Sequence, residues 1–157
     1  MQVKLLTIGK TNTRYLQDGI TLYEQRLRHY LPYQMQIVSD LKSSKNLSTE
    51  QQNEREGQKL LAQVSDHDYL MLLDERGCMW RSRQFADFLQ QQMLTGRKTL
   101  VFAIGGAYGF SPAVYARANA QLALSAMTFS HQMIRLLFVE QLYRALTILR
   151  GEPYHHE

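Results

Sequence analysis

One feature limits the possible folds more than any other: apolar runs of strand length alternate along the chain with stretches of helical spacing. The runs are residues 3–9 (VKLLTIG), 33–38 (YQMQIV), 68–73 (DYLMLL), 99–104 (TLVFAI) and 121–124 (QLAL). Five such runs alternating with five helical patterns predict an α/β fold, a mostly parallel sheet with helices on both faces. The run 68–73 shows no polar alternation, as expected of a central strand covered on both sides. In sheets of this kind ligands lie beyond the carboxyl ends of the strands. Three loops are placed there, at 73–77, 105–109 and 125–130.

The helical patterns carry their own punctuation. Asn12 or Thr13 can cap a helix that runs to about Tyr30 before Pro32, with Tyr15, Leu16, Ile20, Tyr23 and Leu27 inward. The polar stretch 40–47 reads as a loop. Ser48 with Gln51 has the spacing of a capping box and opens a polar helix to about Val64. A third helix spans Ser82 or Arg83 to Met93, and Ser111 followed by Pro112 starts a fourth. The run 74–77 (DERG) reads as a charged turn that ends a strand.

The longest helical pattern is residues 131–150, which contain no Gly or Pro. Ile134, Leu137, Phe138, Leu142, Ala145, Leu146 and Leu149 share one face, and Met133, Leu136, Val139 and Tyr143 make the next face apolar. A surface this wide calls for cover from the sheet and from another helix or a second subunit.

The chain has 157 residues, 45% of them hydrophobic, enough for one domain with its own core. No stretch has the length of a signal-peptide core or a membrane span, so a cytoplasmic protein is expected. Its single cysteine, Cys78, precludes an internal disulfide and a cysteine-rich metal site, and reads as a small loop residue. The formal charge is +4, and residues 88–139 hold no Asp or Glu but do hold Arg97, Lys98, Arg117 and Arg135. Arg76, Arg81 and Arg83 around Trp80 offer guanidinium and aromatic surfaces to phosphate and base.

The 105–109 loop (GGAYG) lets backbone approach a ligand closely, but its spacing is neither the dinucleotide fingerprint nor a phosphate loop. The stretch 125–130 (SAMTFS) has no ionisable side chain. It suits recognition by backbone groups, with Met127 or Phe129 packing on a flat ring such as adenine. The tail brings Tyr154, His155 and His156 after the last helix, and His131 precedes it. No His/Cys/carboxylate set has the spacing of a zinc site, and no Ser/His/Asp arrangement is present, so no metal is expected.

Five motifs in order, LLDERG at 72–77, AIGGAYG at 103–109, LSAMTF at 124–129, VEQLYRA at 139–145 and the ending PYHHE, closely resemble the bacterial large-subunit (23S) ribosomal RNA pseudouridine-N3 methyltransferases of the SPOUT class. The resemblance runs the full length of the chain. It implies a single domain with a C-terminal trefoil knot, a homodimer whose active sites are completed by the partner chain, and the assembled ribosome as substrate. S-adenosyl-L-methionine is the implied cofactor. Its contacts are carried over to Leu73, to Gly105 and to Leu124, Ser125, Ala126, Met127, Thr128 and Phe129. The implied catalytic group is His155, Tyr154 and Arg144. An imidazole titrates nearest neutrality, which makes His155 the better base, while Arg144 can only donate hydrogen bonds. Tyr154 can stack on or hydrogen-bond to the target base. Two positions depart from the family: His156 stands where a basic residue is usual, and Ser130 where proline is frequent. The alternatives are a SPOUT enzyme acting on transfer RNA and a non-catalytic RNA-binding module.

Overall fold

The computed structural model describes residues 1–41 and 46–156, so residues 42–45 of the expected polar loop lie outside the described residues. Strands β1 (Gln2–Ile8), β2 (Tyr33–Val38), β3 (Tyr69–Met79), β4 (Thr99–Ile104) and β5 (Ala120–Ala123) form one sheet in the order β2-β1-β4-β3-β5. Every neighbouring pair runs parallel. Helices α1 (Arg14–Leu27), α2 (Thr49–Leu61), α3 (Ser82–Leu94), α4 (Pro112–Arg117) and α5 (Met133–Leu149) complete the order.

Strand alternation sorts the core into two layers. Val3, Leu5, Met71, Leu73, Leu100, Phe102 and Ile104 face α1, α3 and α5, where Phe85, Leu89, Phe138, Val139 and Leu142 meet them. Leu6, Ile8, Leu70, Leu72, Val101 and Ala103 face α2 and α4, closed by Leu60, Phe110 and Val114. The placement follows the right-handed crossover rule. Connections that step toward β2 use one face, and those that step toward β5 use the other.

The capping box forms as expected: Ser48 Oγ accepts from the Gln51 N–H, and the Gln51 side chain accepts from the Ser48 N–H. Pro112 occupies the first turn of α4. Thr13 stands at the N-cap of α1 but makes no side-chain capping bond.

Three expectations are corrected. The segment 74–77 does not terminate β3. Leu122 of β5 pairs with both Leu73 and Cys78, so Asp74–Glu75–Arg76–Gly77 bulges out and the strand resumes through Met79. Gly77 makes this possible, because a Cβ there would lie 2.6 Å from the Gln121 carbonyl carbon and the Leu122 nitrogen. Cys78 and Arg76 are therefore strand residues rather than loop residues, and Arg83 belongs to α3. The last helix starts at Met133, after a turn in which Ser130 Oγ accepts from the Met133 N–H. Leu142, on the face expected to meet a second subunit, is fully buried within the chain. The apolar width of α5 is thus largely explained by the sheet, α1 and α3.

The acid-free basic segment also resolves differently. Arg135 is fully buried. Its guanidinium donates to the carbonyls of Ile8 (2.7 Å), Gly9 (3.0 Å) and His131 (3.0 Å) and to Thr11 Oγ1 (3.0 Å), tying the start of α5 to the end of β1. Arg117 donates to the carbonyls of Ser65 and Asp68, and Arg97 to that of His67. Three of the four cations thus serve the fold.

Candidate active site

The carboxyl ends of β3, β4 and β5 open into a cavity of about 800 Å³. Its walls include Leu73 to Arg76, Ile104 to Phe110, and Leu124, Ser125 and Met127 to His131, so the three loops expected to hold a ligand do enclose one space. Leu122, Leu124, Ile104 and Ile134 give it an apolar floor, and the loops supply backbone N–H and C=O groups. Ala126 is exposed and stands outside this lining. Met127 and Phe129 project with 75% and 42% of their surfaces exposed, an unusual display of apolar side chains at a cavity rim.

The 105–109 loop is built on glycine for an internal reason. A Cβ on Gly105 would lie 2.8 Å from the Gly109 carbonyl oxygen. Gly109 itself takes φ of +79°, and its N–H donates to the Gly106 carbonyl. Gly105 is thus required by the loop folding on itself, whereas the sequence reading assigned it to close approach of a ligand.

Polar groups missed in the sequence line the same cavity. Tyr115, from α4, donates to Asp74 Oδ2, and the Arg76 guanidinium lies 4.9 Å from the Tyr115 ring centre while pairing with Asp74 at 3.3 Å. Burial pushes the Asp74 carboxyl up, but hydrogen bonds from Tyr115 and Arg76 and the Arg76 charge outweigh it and hold the pKa below the ordinary value. Thr128 donates to Glu75 at 2.8 Å, latching the 124–129 loop onto the bulge of β3. The His131 imidazole has its pKa lowered by burial and then by the Arg135 charge, only partly countered by Glu56, so it is neutral at physiological pH. The charged run DERG was visible in the sequence. Tyr115 and His131 gave no local signal of their role.

A second groove, of about 940 Å³, lies on the other side of the 124–129 loop. Leu124, Ser125 and Phe129 border both spaces. The groove is lined further by Trp80, Arg81, Arg83, Gln84, Gln141 and His155, which brings three members of the expected aromatic and basic cluster beside the tail, while the fourth, Arg76, lines the first cavity instead. Trp80 is held by a tilted contact with Phe88, centroids 5.2 Å apart.

Arg144 and Tyr154 line neither space. Arg144 forms a 2.6 Å ion pair with Glu140 one turn earlier, and this hydrogen bond raises its pKa. Its guanidinium covers the Tyr154 ring at 4.8 Å, and its Nη1 lies 3.5 Å from His155 Nδ1. Accepting at Nδ1 leaves the His155 proton on Nε2. The Tyr154 hydroxyl donates to Glu140 (3.1 Å) and meets Tyr23 (3.2 Å), while its ring packs edge-on to Tyr143 at 4.8 Å. Burial and then the Tyr23 hydrogen bond raise its pKa, so Tyr154 remains a neutral phenol that pins the tail. Among the described residues no three His, Cys, Asp or Glu side chains gather as a metal site, and no helix is long and apolar enough to cross a membrane.

A cavity framed by the bulge of β3 and the loops after β4 and β5, with one loop also bordering a second groove, is the arrangement in which open parallel sheets bind ligands. The chain belongs to the SPOUT methyltransferase family: the family model described as "Predicted SPOUT methyltransferase" matches residues 1–155. Within that class it is 52% identical, over 157 residues covering all of both chains, to a protein of Parabacteroides distasonis named ribosomal RNA large subunit methyltransferase H. It is 51% identical to the protein of the same name in Christiangramia forsetii, over 99% of each chain. A solved structure of a probable methylase family protein from Haemophilus influenzae Rd KW20 shares the fold at TM-score 0.52 and 10% identity, covering 99% of this chain and 70% of that one.

Proposed function

We propose that this chain transfers a methyl group from S-adenosyl-L-methionine to N3 of a pseudouridine in large-subunit (23S) ribosomal RNA, acting in the cytoplasm on the assembled ribosome. The observation that carries the reading is the 124–129 loop, whose Leu124, Ser125 and Phe129 border both the cavity of about 800 Å³ and the groove holding His155, Trp80 and Arg81. A methyl donor on one side and a nucleobase on the other would meet across it. The full-length likeness to proteins named for large-subunit ribosomal RNA supports the substrate.

The cavity fits the donor. Its volume lies in the range of small-molecule sites, its floor is apolar, and its loops offer backbone groups that can select an adenine edge. When bound, S-adenosyl-L-methionine supplies an electrophilic methyl on a sulfonium. Leu73, Gly105, Leu124, Ser125, Met127, Thr128 and Phe129 would hold it. Asp74 is offset by its pairing with Arg76, so the carboxylate left to favour a cationic ligand at the rim is Glu75.

On the groove side the nucleophile is an imide nitrogen that must lose its proton. His155 would take that proton at Nδ1, the ring nitrogen that carries the lone pair, once the target base displaces the 3.5 Å contact with Arg144. Arg144, already anchored by Glu140, would steady the negative charge that develops on the base. Tyr154 holds both by packing beneath the guanidinium. Trp80 and Arg81 offer stacking and phosphate contacts to flanking nucleotides.

We further propose a homodimer and a C-terminal knot formed by residues 121–150. The exposed Met79, Met127 and Phe129 mark a rim that a second copy would cover. Leu142 belongs to the core, so its substitution tests folding and not assembly. Sedimentation of the wild-type protein as a monomer at micromolar concentration would remove the dimer. The activity is tested with labelled S-adenosyl-L-methionine and ribosomes from cells lacking the modification. Label is expected in large subunits. Label in transfer RNA alone would overturn the assignment.

A further inference from the structure

Beneath the 105–109 loop, on the side away from the large cavity, lies a third and much smaller space of about 10 Å³, lined by Asn53, Glu56 and Gly57 of α2, by Gly105 and Gly109, and by Ser111. Three polar atoms at this place, Asn53 Oδ1, Glu56 Oε2 and Ser111 Oγ, are buried with no hydrogen-bond partner among the described residues. Glu56 is 5% exposed and Ser111 2% exposed. The other Glu56 oxygen accepts from Gln52 Nε2 at 3.0 Å, and Asn53 Nδ2 donates to the Tyr108 carbonyl at 2.9 Å, so both side chains are already oriented. Ser111 stands at the N-cap of α4 and yet its hydroxyl makes no capping bond.

A carboxylate oxygen shut away from solvent without a partner is costly, and native proteins rarely leave it so. A space of roughly 10–15 Å³ holds one water, which needs two to four polar neighbours. Here there is room for one molecule and there are three neighbours, with acceptors on α2 and a hydroxyl on α4. The glycines fit the same purpose. A Cβ on Gly106 would lie 2.5 Å from Glu56 Oε2, and one on Gly57 would lie 2.2 Å from Ser111 Oγ. The loop has been brought onto the carboxylate as closely as backbone allows.

We propose that Asn53, Glu56 and Ser111 bind one ordered water, and that Glu56 is a positioning residue which, through this water and through its contact with Gly106, holds the 105–109 loop in the shape that receives the methyl donor. The inference rests on the reading of the large cavity as the donor site. Glu56 touches no donor atom. It fixes the height of a loop whose opposite face lines that cavity, and small displacements of binding groups are expensive in affinity.

The test is calorimetric titration of S-adenosyl-L-methionine into the wild type, Glu56→Leu, Glu56→Gln and Ser111→Ala, with melting temperature and amide exchange of residues 105–109 measured on each. Glu56→Leu is expected to weaken binding by about tenfold or more, as loss of support behind a ligand-binding group commonly does. Exchange at 105–109 should rise with it. Glu56→Gln, which can still accept from and donate to a water, should restore most of the affinity. A purely structural role would lower the melting temperature of Glu56→Leu and leave the affinity of its folded fraction unchanged, and that result overturns the proposal. Should Glu56→Leu not fold, Ser111→Ala decides in the same way, since it removes the third partner from the opposite element. A wild type that binds no donor would instead defeat the reading of the large cavity. Loop exchange would then test Glu56 by itself, and unchanged exchange in Glu56→Leu would count against it. A crystal structure with no water within hydrogen-bonding distance of the three atoms would overturn the hydration site.

Discussion

Arg135 and Arg144 lie on the same helix and meet opposite surroundings. Arg135 is fully buried, pairs with no carboxylate among the described residues, and directs its donors to the carbonyls of Ile8, Gly9 and His131 and to Thr11. Arg144 remains partly accessible, is paired with Glu140, and reaches toward His155. The first closes the end of β1 and positions the turn that enters the cavity. The second belongs to the tail and can respond to a substrate. A guanidinium surrounded by fixed carbonyls has one geometry, whereas one held by a single carboxylate keeps donors for a further partner.

The largest expected effect breaks the first of these. Arg135→Met leaves several buried carbonyls unpartnered and should cost about 3 kcal/mol or more. Chemical denaturation would read it as a lowered midpoint, and a change under about 1 kcal/mol would show that the carbonyls find other partners. Next comes the other end of the helix. His155→Gln and Arg144→Met should each lower methyl transfer by about a hundredfold, the usual weight of proton removal or charge stabilisation. His155→Gln should change stability by about 1 kcal/mol or less, and Arg144→Met by about 2 kcal/mol or less, since the Arg144 and Glu140 side chains still keep 25% and 19% of their surfaces in solvent. Single-turnover rates beside melting curves would separate the two regions cleanly. Tyr154→Phe should be milder, lowering the rate by less than about tenfold, because the phenol holds the tail rather than moving a proton. A loss as large as that of His155→Gln would place the hydroxyl in the chemistry.

The smallest effect belongs to the Arg135 end of the helix. His131 has its folded pKa lowered, first by burial and then by Arg135. The unfolded chain therefore takes up the proton more readily. The stabilising contribution of this group is fully present above the ordinary imidazole value of about 6.5 and is lost as pH falls from there through the folded pKa. Denaturation midpoints at pH 7.5 and pH 5.5 should differ less in His131→Gln than in the wild type. Equal differences would show that the folded structure does not lower the His131 pKa.

Much of the fold could be read from local pattern. β2 and β4 begin and end where the runs do, at Tyr33–Val38 and Thr99–Ile104; for β4 this is because a buried parallel strand writes its limits in consecutive side chains, whereas β2 lies at the sheet edge with only Val38 buried. The Ser48 and Gln51 box and Pro112 mark their helices for equally local reasons. The loops at 105–109 and 125–130 were legible for a topological reason, since each follows a strand, whereas 74–77 borders the cavity as a bulge within β3. What stayed hidden depends on partners distant in sequence. Arg135 reads as surface charge until the end of β1 supplies its acceptors. Glu56 sits in the most polar helix of the chain, and only the glycine loop from β4 buries it. The continuation of β3 through Met79 required β5 to pair across the bulge. Leu142 looked equally suited to a core and to an interface, because one chain's periodicity does not distinguish them.

The central claim is that the donor cavity and the His155 groove meet to methylate one base of the large subunit. The most direct measurement is mass analysis of nucleosides digested from large-subunit RNA, after ribosomes lacking the modification are incubated with this protein and S-adenosyl-L-methionine. The account predicts N3-methylpseudouridine, formed about a hundredfold more slowly when His155→Gln replaces the wild type. A methylated nucleoside of any other kind, or none from a protein that binds the donor, would contradict it.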